Sequence, residues 1–173
     1  MAAIDTSGLP PRLAAIVADA LRARERWTST VAALSEGPLQ ARIAELTAQI
    51  DAGVLAIDDA ARRLVGLQQT AATVDADRAT AEYKAAKRDP STDPALLAAL
   101  ESKFRSVHRI LNAVDDVEGQ LRLLDARLDA AILRATELLY AGAGAQADQA
   151  GTELGAVVDE LRVLQSTLGE LGA

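Results

Sequence analysis

A di-iron centre in a helical bundle needs four carboxylates and two histidines, with paired Glu-x-x-His spacing so that both ligands project from one helical face. This chain has a single histidine, His108, and three positions before it stands Arg105, a base where the motif needs an acid. Metal chemistry of that kind fails on count and on spacing. Cysteine is absent, which removes thiolate metal sites, disulfide frameworks and cysteine nucleophiles as well. Asp115, Asp116 and Glu118 concentrate acid in one stretch, but consecutive helical positions point in different directions, so the cluster reads as a solvated face. Gly142, Gly144 and Ala147 formally fit the glycine pattern of dinucleotide-binding turns. That pattern requires a preceding strand, and the residues before it, Leu138, Leu139 and Tyr140, continue a helical stripe. No catalytic, cofactor-binding or metal-ligating residue is therefore assigned, no cofactor is expected, and the chain is not expected to be an enzyme.

One further cluster has binding character. Arg22, Arg24, Arg26 and Trp27 form the only basic and aromatic concentration. On a helix Arg22 and Arg26 share a side with Trp27 next to it, an arrangement found in helices that lie in a membrane interface. Asp19 and Glu25 dilute the charge and the neighbouring alanines offer modest apolar area, so docking of Trp27 onto the rest of the protein is the preferred reading. Arg22, Arg26 and Trp27 stand as a possible membrane or partner contact.

Charge limits the partners further. The formal net charge is -7, from 18 basic and 25 acidic residues. Residues 1–88 are balanced, whereas 89–141 carry six basic against nine acidic groups and 142–173 carry one against five. No basic stripe exists that could displace counterions from phosphates, so nucleic acid is not an expected partner. No stretch approaches the 18 or so uncharged apolar residues of a membrane span, and the first residues lack the basic-then-apolar order of a signal peptide. A cytoplasmic location is expected.

The elements that must position any site are helices. Sustained alternation of apolar and polar residues is missing, and aromatics make up only 2% of the chain, so close packing through Leu, Val and Ala replaces aromatic bulk. The organising stretch is 94–140. Asp93-Pro94 supplies a cap followed by proline at the first helical position. Leu97, Leu100, Phe104, Val107, Leu111, Val114, Val117, Leu121, Leu124, Leu128, Ile132, Ala135 and Leu139 then recur at steps of three and four. Two consecutive steps of three at Leu111, Val114 and Val117 mark a place for a bend or a partner contact. A helix of that length is not stable alone and needs partner helices.

Around it the spacing predicts a tail at 1–9 and a helix opened by Pro10-Pro11 and closed by Gly37-Pro38. The next helix meets two open readings at Asp51–Asp59. In the preferred one Gly53 caps one helix and Asp58 starts another, a pattern similar to short glycine-centred hairpins of many bacterial proteins. In the other a single helix continues through Val54, Ile57 and Leu64. Helix is expected again to Lys87, then a turn at 88–94, where two prolines and three capping residues leave no room for one. Ala141–Gly151 reads as a small-residue linker, flexible or partly helical. Beyond it Leu154, Val157, Leu161, Leu164, Leu168 and Leu171 form a strict heptad seam, a narrow stripe suited to a partner helix in the same chain or another.

The expected architecture is all-α. An elongated antiparallel hairpin at its centre packs with shorter helices as a three- to four-helix bundle over 10–141, followed by the linker at 142–151 and a C-terminal heptad helix at 152–173. The expected role is a coiled-coil scaffold or adaptor that self-associates or binds a partner helix through that seam, a homo-oligomer being the favoured form. In outline, with an amphipathic N-terminal helix before a long antiparallel hairpin, the chain resembles phage-shock-type membrane-remodelling proteins. That resemblance implies an alternative role as a peripheral membrane-associated stress-response protein acting through 11–35.

Overall fold

A computed structural model of the chain describes residues 4–33, 40–140 and 144–171, with side chains described over the same ranges except at 144–148 and 171. It contains five helices: α1 (Pro11–Ala32), α2 (Gln40–Ala72), α3 (Ala76–Arg88), α4 (Pro94–Tyr140) and α5 (Gly144–Leu171). Among the described residues there is no strand.

The starts and stops have local causes. At α4, Asp93 Oδ1 accepts from the Ala95 amide at 2.9 Å, so the cap and proline do what the sequence suggests. The preceding turn closes on Asp89, whose Oδ1 accepts from the Ser91 amide at 2.9 Å and from its hydroxyl at 2.6 Å. The break before α3 falls at Thr73–Asp75 and not at Gly53. The Thr73 and Val74 amides reach back to the carbonyls of Thr70 and Ala71, both at 3.1 Å. Asp75 then accepts from the Arg78 amide at 2.8 Å and starts the next helix. Two β-branched residues in succession weaken the helix where a capping aspartate is ready to restart it.

The expected cap at Gly53 is thus overturned: α2 runs unbroken through it. Gly53 is a site of close approach. A Cβ built there would lie 3.1 and 3.2 Å from the two Leu128 methyls and 3.6 Å from Val158 Cγ2. Here α2, α4 and α5 meet so closely that even a methyl group would need the Leu128 side chain to shift by a few tenths of an ångström. The small-residue segment is also reassigned, since from Gly144 onward it is the first part of α5. Ala150 is fully buried, and a Cβ on Gly151 would meet the Arg42 guanidinium of α2. Small residues here let α5 lie close against α2; they do not keep the chain loose. Residues 141–143 lie outside the described part. The N-terminal tail is folded back over its described part, with Ile4 and Leu9 packed on the core and Arg62 donating to the Asp5 carbonyl at 2.7 Å.

Cross-helix pairs fix the packing. Gln68 with Glu118, Thr80 with His108 and Glu82 with Lys103 set α2 and then α3 antiparallel along α4. Arg127 with Glu160 and Arg134 with Glu153 set α5 antiparallel to α4. Arg24 with Asp51 and Trp27 with Thr47 set α1 antiparallel to α2. The result has two parts. From about Val114 onward α4 lies in a four-helix body with α1 and α5 on opposite sides of the α2–α4 pair, whereas before that point only α3 covers it. Glu118 marks the junction, meeting Arg12 of α1, Gln68 of α2 and Arg122 of its own helix. The irregular step at Val114 and Val117 falls there, in a helix that stays continuous.

Candidate interaction surface

The C-terminal seam lies inside the body. Leu154, Val157, Leu161, Leu164 and Leu168 are all at most 4% exposed and belong to one continuous apolar core with α2 and α4; the Leu171 side chain lies outside the described part. Both partner options for this stripe were open in the sequence, and the structure fills it from the same chain. Among the described residues no polar or charged one is buried, so the seal is apolar throughout.

The basic-aromatic cluster is divided between core and surface. Trp27 is 1% exposed and its indole N–H donates to Thr47 Oγ1 at 2.9 Å, so it docks on α2 and offers no surface to a membrane. Arg22 pairs with Asp19 and Arg26 with Asp129 of α4. Asp125 lies between these charges. Its partial burial, with Asp19 and Asp129 nearby, pushes its carboxyl up to about 6, against the opposing pull of Arg22.

His108 belongs to the hairpin. It shares a 3.3 Å hydrogen bond with Thr80 and tilts on Phe104 at 4.3 Å, and Phe104 stacks on Tyr83 at 5.0 Å. Among the described residues no three His, Cys, Asp or Glu side chains stand where they could hold a metal, and no described helix is long and apolar enough to cross a membrane.

The surface that sequence reading missed is the outer side of α4. Gly119, Leu123, Ala126, Ala130, Leu133, Glu137 and Tyr140 are all exposed, with Leu123 at 59%, Leu133 at 49% and Tyr140 at 67%. Their steps alternate four and three, so they form a second heptad stripe on the face opposite the core stripe. Only Glu137 is charged. An outer helix face normally carries the polar residues; here they stand at the edges. Along the α5 edge run Arg127–Glu160 and Arg134–Glu153, and along the α1 edge Arg26–Asp129 and Arg122–Glu118. A groove of about 430 Å³ adjoins the stripe, where Leu123 and Leu124 meet Val163 and Leu164 of α5, and Val163 is itself 66% exposed. Residues at steps of three and four from Leu123 would have revealed this stripe, but the core stripe of the same helix is richer in Leu and Val and dominates the pattern.

The fold and this surface define an all-α antiparallel bundle with an apolar outer helix face. Comparison with known proteins finds no matching family, no matching characterised protein and no matching solved structure.

Proposed function

We propose that the protein is a non-enzymatic helical scaffold or adaptor that works through helix–helix contact on the outer face of α4. The observation that carries this reading is the exposed heptad stripe from Gly119 to Tyr140, apolar at every position but Glu137 and bordered by ion pairs. Isolated exposed leucines are ordinary on any protein; a periodic row along the longest helix is the pattern of a docking face. The role expected for the C-terminal seam passes to α4, because that seam is already covered.

A photo-cross-linking residue at Ala126, in the cells that make the protein, tests the reading against the same residue at Gln69 on the exposed side of α2. A discrete adduct from position 126 that is missing from 69 supports it. No adduct, or equal adducts from both, removes it.

A further inference from the structure

We infer that the occupant of this face is a second copy of the same chain, docked with its α4 antiparallel about a two-fold axis at the level of Leu128. This inference rests on the surface reading above and adds the partner.

The first ground is that the central part of the stripe reads the same in both directions. Leu123, Ala126, Ala130 and Leu133 are spaced three, four and three. Reversing the helix therefore places Leu123 of one protomer across from Leu133 of the other, and Ala126 across from Ala130, twice over. A two-fold interface requires this self-complementarity. The paired alanines at its centre let the helix axes approach toward the short end of the usual range of about 8–10 Å.

The same register orders the ends. Glu137 falls opposite Gly119 of the other copy, where the glycine leaves room for the stem of the charged side chain. Tyr140, two-thirds exposed, falls opposite the exposed Asp116, where its hydroxyl can donate to a carboxylate. The charged member of the stripe is thus placed where it costs least. A parallel pair would instead set Glu137 against Glu137 and Arg122 near Arg127, like against like.

The edges are compatible too. A two-fold axis perpendicular to antiparallel helices brings like edges together. Each edge of this stripe carries both signs, with Arg127 and Glu160 on one and Arg26 and Asp129 on the other. Near the axis Arg127 then faces Arg127 of the other copy and Asp129 faces Asp129, each already neutralised within its own chain by Glu160 or Arg26, so the edges meet as ion pairs and not as bare like charges. Self-association is then compatible with a net charge of -7, because the contact itself is locally balanced.

The test uses the full chain, which has no native cysteine. Light scattering across a concentration series is expected to rise from the 18.1 kDa monomer to twice that mass. Leu123→Glu with Leu133→Glu is expected to abolish the rise while leaving helical circular dichroism unchanged, and melting unchanged at concentrations where the wild type is monomeric. Mixed Ala126→Cys and Ala130→Cys chains are expected to form a disulfide dimer faster than either variant alone. A monomer at every concentration, a dimer that survives the double variant, or fastest bonding between like variants each overturns the inference. If the wild type stays monomeric while position 126 still cross-links to a different protein, the self-pairing falls and the surface reading stands. If position 126 captures nothing, both fall.

Discussion

The two stretches of α4 face opposite problems. From Val114 to Leu139 the helix packs against three others, and its inner face is aliphatic and buried at Leu121, Leu124, Leu128, Ile132 and Ala135. From Pro94 to Ala113 it has only α3 beside it, and Val107 is the one buried residue of that length; on α3 only Ala79 is. The second region is held instead by the Tyr83–Phe104–His108 stack, by Lys87 over the Tyr83 ring at 5.6 Å, and by Lys103 and Arg78 converging on Glu82. One helix therefore crosses from a sealed aliphatic core to a two-helix arm with thin cover. Stability should be concentrated in the body, and the arm should open independently.

Leu161→Asp breaks the comparison most severely. It sets a carboxylate inside the apolar seam with no partner and is expected to cost more than about 4 kcal/mol, read as collapse of the denaturation transition. A seam that was a free surface would tolerate the change within about 0.5 kcal/mol. Leu128→Ala leaves a cavity at the meeting of α2, α4 and α5 and is expected to cost about 2–5 kcal/mol. Phe104→Ala should cost less, about 1–2 kcal/mol given its partial exposure, and should speed exchange in the arm alone. An equal loss in body and arm would mean that they unfold as one unit.

Asp125 sharpens the picture of the α1–α4 contact. Its folded-state carboxyl titrates near 6, above the unfolded value of 3.8, so the native state holds the extra proton between those values. Stability from this group is full below the unfolded value and falls as pH rises through about 6. After allowance for solvent screening the loss is about 1 kcal/mol. Asp125→Asn is expected to recover that amount at pH 7 and to change nothing below pH 3.8, as denaturant midpoints at the two pH values would show. Gly66→Ala and Gly53→Ala form the smallest contrast. A Cβ at Gly66 meets nothing within 4 Å, so helix propensity should raise stability by about 0.5–1 kcal/mol. At Gly53 the same gain is offset by the Leu128 methyls, and no rise in midpoint is expected.

Much of the fold was legible because its strongest signals are local. Asp93-Pro94, the prolines of the 88–94 turn and the leucine period of α4 each act through their own backbone or their own face. Other features depend on what stands across the gap. A glycine that caps a helix and a glycine that admits Leu128 are identical letters, and only the neighbouring helices decide between them. The same holds for Ala150 and Gly151, whose smallness reads as looseness until α2 is seen against them. The break at Thr73–Asp75 was hidden because Ala71, Val74 and Arg78 keep the helical step through it. At the candidate surface, Arg22, Arg26 and Trp27 gave a visible cluster with a structural destination. The α4 outer stripe gave no cluster at all, since its alanines carry meaning only once the other face is known to be buried.

Amide hydrogen exchange resolved along the chain, run at two protein concentrations, tests most directly whether the body is sealed from within. Slow exchange is expected across α2, the second half of α4 and the seam residues Leu154 to Leu168 of α5 at both concentrations, including the one at which the chain is monomeric, with faster exchange in α3 and residues 94–113. Exchange in α5 as fast as in the arm, with protection that grows with concentration, would show that its seam is filled by another molecule and would contradict the account.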